Sequence, residues 1–242
     1  MARYRIKFTK TGRAKYISHL DMLKIFTRTA RRIGLKMEYS QGFNPHEEIV
    51  FSAPLPLGMT SEAEYAELRV SDEGNPGLTE ESLLERLSDA FPAGIRPVYA
   101  RKLPDGTPKI MKNVAFCAYL LSVDGFGSAA QAEDFCVRAQ EILAANTPVM
   151  ADKKSKSGVR YVDIRPLIRS FGTELQVGDV PGEYRFRAVL SAGNESNLRP
   201  ELCFSALAGL IFPNEGEGGW APFKLAGVHK LGYFDAEGKT ID

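Results

Sequence analysis

The feature of this sequence that most constrains its fold is a switch between two hydrophobic periods within the first half. The opening segment RYRIKFTK places Tyr4, Ile6 and Phe8 at every second position, which is typical of a strand with one buried face. The apolar residues from Leu23 to Ile33 recur instead with the period of a helix. Followed along the chain, the patterns give strand, helix, strand, strand, helix, strand. That order predicts a ferredoxin-like (split βαβ) unit with an antiparallel sheet.

The second half of the chain repeats this rhythm. It contains predicted helices over 128–145 and in LRPELCFSALAGLI, and VRYVDIRPLIRSF is predicted to be one strand. We therefore predict an α+β protein of tandem ferredoxin-like units. The predicted domains are 1–103 and 113–242, joined by a linker over 104–112, and a terminal hairpin is expected around FDAEGKTI.

The first predicted helix carries clear boundary signals. Ser18 and Asp21 have the spacing of a capping box, so the helix should begin near His19. Gly34 is suited to the left-handed conformation that ends many helices. The segment LKMEYS that follows is predicted to be the second strand.

Composition excludes several classes of protein. With 44% hydrophobic and 25% charged residues, the chain is typical of a soluble globular protein. It lacks an apolar run of the roughly 18 residues that a membrane span requires, and its N-terminal segment lacks the apolar core of a signal peptide. We expect a cytoplasmic protein that does not interact with membranes.

The cysteines and the missing motifs argue against a cofactor. Cys117, Cys136 and Cys203 are isolated in the sequence, which favours buried thiols over a disulfide framework or a metal site. The sequence also lacks the glycine-rich nucleotide-binding loops, the HExxH motif and the cysteine cluster of an iron-sulfur site. We expect neither a metal nor another cofactor.

Positive charge is concentrated near the N-terminus although the net charge is only +1. The first 50 residues hold eleven Lys and Arg against four Asp and Glu. Lys24, Arg28, Arg31 and Arg32 fall on the polar side of the predicted helix, and no acidic residue is interleaved with them. A solvated helix face and a surface for RNA phosphates both fit this basic ridge, and the lack of acidic neighbours favours the second.

Two histidines are candidates for catalysis. His19 is predicted to lie in the first turn of the helix, and His46 follows the rigid Asn44-Pro45 turn. If they met near Tyr16, they would supply the general acid and base of a metal-independent ribonuclease. The alternative is that both histidines only stabilise a helix start and a turn through hydrogen bonds.

Two further segments are candidates for RNA contacts. Phe43, in the turn GFNPH, is predicted either to stack on a base or to anchor the turn in the core. Lys153, Lys154 and Lys156 belong to the polar segment DKKSKSG, which is predicted to be a flexible loop or a hairpin tip. Such a loop is suited to binding a phosphate backbone.

The runs YISHLD, RRIGL, YSQGFNPH and LPLG resemble those of the radical-SAM-associated (radical SAM-linked) proteins, a bacterial family built on a domain of unknown function. Genes of that family lie beside, or are fused to, genes for radical SAM proteins, and often lie near genes for a ribonuclease and ribosomal proteins. The resemblance implies work on RNA or ribosomes. One departure is Glu47, where the family often has proline.

These observations lead us to expect an accessory protein that binds tRNA or rRNA through its N-terminal half and works with a radical SAM enzyme. One alternative is a metal-independent endoribonuclease that uses His19 and His46. Another is a protein-interaction module whose basic ridge docks on an acidic surface of the radical SAM partner.

Overall fold

The computed structural model describes residues 1–155, 158–213 and 223–241. The chain forms two compact units, Met1–Lys112 and Asn113–Ile241. Each unit combines helices with antiparallel strands, so the α+β class predicted from the sequence is confirmed.

The first unit alternates strands and helices in the predicted order. Its elements are β1 (Ala2–Lys10), α1 (His19–Arg32), β2 (Ile49–Phe51), β3 (Thr60–Val70), α2 (Glu80–Ala90) and β4 (Ile95–Leu103). The strands follow the order β4-β1-β3-β2, and each neighbouring pair is antiparallel. Both helices pack on one face of this sheet, because α1 and α2 bury Phe26 and Leu83 in the same core as Phe8.

The ends of α1 are set by the residues that the sequence indicated. The Ser18 hydroxyl accepts a hydrogen bond from the Asp21 backbone N–H at 3.1 Å and donates to the Asp21 carboxylate at 2.7 Å. Gly34 has φ +67°, and the Leu35 N–H bonds to the Ala30 carbonyl, which closes the helix with a Schellman motif. Local capping therefore fixes the position of α1 along the chain.

The prediction of a second strand over LKMEYS is wrong. Leu35 and Met37 are buried as the alternation requires, but Met37 forms only an isolated bridge to Val70. The edge of β3 is occupied instead by β2, in which Phe51 lies opposite Ala66. Competition for one sheet edge, which single-strand periodicity does not reveal, decides which segment becomes the strand.

Residues 104–112, predicted to be a linker, belong to the first unit. The Arg5 guanidinium donates to the Pro108 carbonyl at 3.3 Å, and Arg3 donates to the Thr107 carbonyl. The Ala53 N–H lies 3.4 Å from the Met111 sulfur. These contacts hold the segment against the first unit.

The second unit contains the remaining elements. They are β5 (Phe116–Asp124), α3 (Ala129–Ala144), β6 (Met150–Ser155), β7 (Gly158–Asp163), β8 (Ile168–Val177), β9 (Tyr184–Ser191), α4 (Pro200–Ile211), β10 (Lys224–Phe234) and β11 (Thr240–Ile241). The main sheet has the order β10-β5-β9-β8, while β6 and β7 pair only with each other. Strands β10 and β11 form the predicted terminal hairpin. The assignment of both units to the ferredoxin-like fold stays a prediction.

The single strand predicted over VRYVDIRPLIRSF is divided into β7 and β8. A short 3-10 helix, Arg165–Leu167, separates them. Pro166 lacks the N–H that a continuous ladder requires. The Arg165 guanidinium donates to the Asn146 side chain at 2.9 Å and to the Leu143 carbonyl, so the break also caps the end of α3.

All three thiols are buried, as expected from the sequence. Burial, with a smaller effect of Glu133, raises the pKa of Cys136 to about 12. Burial also raises the pKa of Cys203. Neither thiol is suited to act as a nucleophile near neutral pH.

Candidate functional site

The basic ridge is exposed on α1, but the structure corrects the expectation that its side chains lack partners. The Lys24 ammonium lies 3.1 Å from the Asp21 carboxylate. Arg31 Nε lies 2.7 Å from Glu47 Oε1, and Arg32 Nη1 donates to the Ala90 carbonyl at 2.9 Å. Within the described part of the chain, Arg28 is the ridge residue without a hydrogen bond or ion pair.

The Arg31–Glu47 ion pair ties the segment after α1 to the last turn of that helix. Glu47 is 7% exposed, and Tyr39 also donates to its carboxylate, at 3.4 Å. Burial acts to raise the pKa of Glu47, but hydrogen bonds from its own backbone, Arg31 and Tyr39, together with the Arg31 charge, leave that pKa below its usual value. Arg31 is therefore an anchor for this segment.

The pair between Lys24 and Asp21 is of a different kind. Both side chains are more than half exposed, and such pairs contribute little to stability. The Lys24 ammonium is therefore available to an anionic partner at small cost. Arg32 bonds a neutral carbonyl, so its positive charge is not cancelled by that contact.

Apolar side chains extend the exposed side of α1. Leu20, Lys24 and Arg28 follow one another at spacings of four, which places them along one side of the helix. Tyr16, 68% exposed, lies just before the helix, and the Lys15 ammonium is 5.2 Å from its ring centroid. Two apolar groups, Tyr16 and Leu20, thus precede the two cations Lys24 and Arg28 along this side.

Phe43 is fully exposed, so the interpretation of Phe43 as a core anchor is wrong. It lies four residues before Glu47, within about 14 Å along the chain, and Glu47 is fixed to the end of α1 through Arg31. We use the name α1 surface for Tyr16, Leu20, Lys24, Arg28 and Phe43.

The structure does not bring His19 and His46 together. His46 Nδ1 lies 2.9 Å from the Ser40 hydroxyl, within the turn. The neighbouring Glu47 is fixed to the last turn of α1, whereas His19 is the first residue of that helix. Twelve residues of helix separate these ends by roughly 18 Å. The bonds of His46 are those of a turn-stabilising residue.

His19 instead lies beside a small polar pocket. Its ring packs edge-on against Phe51 with centroids 5.5 Å apart. Polar groups in the lining come from Lys10, Ser52 and Glu64, all buried, and the apolar part comes from Phe8, Met22, Phe51, Ala53, Pro54 and Leu55. The cavity volume is about 20 Å³, enough for about one water molecule.

Two polar groups of this pocket differ in how they are satisfied. The Lys10 ammonium donates to the Ile17 carbonyl at 2.8 Å. The Ser52 hydroxyl is buried and has no hydrogen-bond partner within residues 1–155, 158–213 and 223–241. Sequence reasoning missed this pocket, although Lys10 continues the buried alternation of Tyr4, Ile6 and Phe8 and so signalled a buried charge.

The lysine-rich segment DKKSKSG is largely a strand. Lys153 is exposed in β6, and the backbone of Lys154 pairs with Val159 of β7. Lys156 lies outside the described residues. The segment therefore forms part of a two-stranded hairpin rather than a free loop.

In the described ranges, no group of three or more His, Cys, Asp or Glu side chains is placed to hold a metal ion. Those ranges also contain no helix long and apolar enough to cross a membrane.

The fold defines an α+β protein whose first helix exposes Lys24 and Arg28 along one side, with the exposed ring of Tyr16 just before that helix. A family model described as "Uncharacterized protein conserved in bacteria (DUF2344)" matches residues 3–200. The chain belongs to this family. A comparison with curated proteins finds no significant match.

Replacing the buried carboxylate in Glu47→Gln is expected to lower the free energy of unfolding at pH 7, because Arg31 loses its ionic partner. The pKa of Glu47 is lowered in the folded protein, so its contribution is present above the ordinary value of about 4.3 and is lost as pH falls. Denaturant unfolding at pH 7 and at low pH measures this, and the difference should shrink in acid.

The matched control is Glu48→Gln, which changes a more exposed pair with Arg69 and should have a smaller effect. Equal losses for the two variants, or a Glu47→Gln effect independent of pH, would contradict the anchoring role.

Ser52→Ala is expected to leave stability unchanged or to raise it by about 1 kcal/mol, because it removes a buried hydroxyl without a partner. Ser61→Ala is the control, since the equally buried Ser61 hydroxyl accepts from the Ala63 N–H at 3.0 Å. That variant should lose about 1 kcal/mol in the same denaturant titration. A comparable loss for Ser52→Ala would show that its hydroxyl is bonded.

Proposed function

We propose that this protein binds RNA through the α1 surface and acts as an accessory to a radical SAM enzyme in tRNA or rRNA modification, or in ribosome-related RNA metabolism. The proposal rests on the combination of available cations along one side of α1 with exposed rings before that helix and in the segment that Arg31 holds to its last turn. Tyr16 and Phe43 supply the rings, and Lys24 and Arg28 supply the charge.

Each part of this surface suits a different part of an RNA strand. Lysine and arginine bind phosphates, and release of counterions makes that binding favourable. Exposed aromatic rings stack on unpaired bases with little dependence on sequence. A single exposed ring on a protein surface needs no functional explanation. Two exposed rings together with a row of available cations form a combination suited to unpaired RNA.

The structure narrows the set of residues proposed to contact RNA. The Arg31 guanidinium forms an ion pair with Glu47. The Arg32 guanidinium donates a hydrogen bond to the Ala90 carbonyl at the end of α2. Arg32 adds positive charge near the surface, whereas the charge of Arg31 is offset by Glu47. Direct phosphate contacts are therefore assigned to Lys24 and Arg28. Phe43 is assigned the stacking role.

The partnership with a radical SAM enzyme rests on the resemblance of runs such as YISHLD and YSQGFNPH to the radical-SAM-associated proteins. His19 belongs to one of these runs and lies at the pocket beside the α1 surface. The ribonuclease alternative gains no support from the geometry, because His19 and His46 are at opposite ends of α1.

The test is the affinity for labelled total tRNA and fragmented rRNA at several salt concentrations. The double variant Lys24→Glu/Arg28→Glu should bind about tenfold more weakly or worse, with each lost phosphate contact lowering the salt slope by about 0.7 to 0.9. Phe43→Ala should lose about 1 kcal/mol or more of binding free energy without changing that slope.

The control is Arg96→Glu/Lys109→Glu, which makes the same charge change at exposed positions of the first unit outside α1. It should retain most of the affinity. Unchanged affinity and slope in the Lys24→Glu/Arg28→Glu variant would place RNA binding elsewhere. Capture of a radical SAM partner that survives nuclease treatment, with no RNA affinity of the wild type, would support the protein-interaction alternative.

A further inference from the structure

Strands β6 and β7 form a two-stranded arm that is separate from the main sheet of the second unit. Its base is fixed, because Val149 and Ala151 are buried and the Asp163 carboxylate accepts from the Val149 N–H at 2.9 Å. Beyond the base, the described side chains are exposed on both faces, including Tyr161 at 69%. We use the name β6–β7 arm for this hairpin.

The register of the β6–β7 arm places two cations directly opposite each other. Lys153 pairs with Arg160 across the strands. Side chains at such positions have Cβ atoms about 4.5 to 5.5 Å apart, and like charges there destabilise the pair. In the described part of the chain, neither side chain forms an ion pair or a hydrogen bond.

This charge pair works against the folding of the arm. An isolated two-stranded hairpin is only marginally stable in water, so a repulsive pair within it removes an appreciable part of its stability. Asp152 does not relieve that repulsion, because it lies opposite Tyr161 and projects from the other face. The pairing is better explained by an anion that bridges both cations.

We propose that the β6–β7 arm is a second RNA-contacting element that binds a backbone phosphate between Lys153 and Arg160. This inference rests on the proposed RNA-binding function and adds a site on the second unit. A phosphodiester offers two non-bridging oxygens, one for each cation, and the guanidinium of Arg160 matches that geometry. Tyr161 and Val159, on the opposite face, are exposed for contacts with a base or sugar.

The decisive variant is Lys153→Glu, because binding and folding respond to it in opposite directions. Glutamate opposite Arg160 creates an attractive cross-strand pair, so the arm should become more stable. RNA affinity should nevertheless fall about three- to tenfold, and the salt slope should decrease by about 1. Hydrogen exchange of the β6 and β7 amides measures the first effect, and binding of labelled tRNA measures the second.

Arg160→Glu reverses the pair and should give the same two results. The control is Lys239→Glu, which makes an equal charge change in the exposed terminal hairpin and should leave both measurements near the wild-type values. Reduced amide protection in Lys153→Glu together with reduced RNA affinity would overturn the inference, because loss of arm structure would then explain the binding defect.

The outcomes also separate this inference from the proposed function. If Lys24→Glu/Arg28→Glu loses RNA affinity while Lys153→Glu does not, the arm is not an RNA contact and the α1 surface remains one. If the wild type binds no RNA, the proposed function and this inference both fail. If Lys153→Glu weakens only the capture of a protein partner in nuclease-treated extract, the arm binds an acidic protein surface and the inference is wrong.

Discussion

Phe26 is the residue on which the arrangement of the first unit depends. Its ring lies 5.1 Å from that of Phe8 on β1, 5.0 Å from Phe51 on β2 and 4.8 Å from Phe91 after α2. Such aromatic contacts add about 0.5 to 1.5 kcal/mol each to the burial of the rings. They fix the rotation of α1 about its own axis. Leu20, Lys24 and Arg28 are exposed as a set because Phe26 is inside.

This orientation of α1 about its own axis places different groups at the two ends of the helix. At the N-terminal end, His19 is placed against Phe51 beside the polar pocket. At the C-terminal end, the buried Glu47 binds Arg31, which keeps the turn with Phe43 near the helix. Fixing that turn lowers the entropy that an ordered contact with a base would otherwise cost. The exposed set of Leu20, Lys24 and Arg28 therefore follows from the packing of one amphipathic helix, and the position of the Phe43 turn follows from the ion pair of Arg31 with the buried Glu47.

Local features of the fold could be predicted from the sequence, whereas partners distant in sequence could not. The limits of α1 follow from Ser18, Asp21 and Gly34, which act on their own neighbours. The roles of Arg31 and Arg32 depend on Glu47 and the Ala90 carbonyl, and no periodicity within α1 reveals them. For the same reason the four cations of the basic ridge are equivalent in the sequence. In the structure, Arg31 and Arg32 bind other segments of the chain, and Lys24 and Arg28 are available to a partner.

The lysine-rich segment of the second half shows the same limit. Its composition indicated a phosphate-binding loop, but the like-charge pair of Lys153 and Arg160 exists only through the register of β6 and β7. Composition locates positive charge, and strand pairing determines which charges face each other. The structure assigns a specific geometry to a segment that composition described only as polar.

Contact between the α1 surface and RNA is tested most directly by ultraviolet crosslinking in cells, with the crosslinked peptides identified by mass spectrometry and the bound RNA sequenced. Exposed aromatic side chains that stack on bases crosslink efficiently. We expect tRNA or rRNA fragments joined to peptides that contain Tyr16 or Phe43. Recovery of no RNA, or crosslinks confined to peptides outside the α1 surface and the β6–β7 arm, would contradict it.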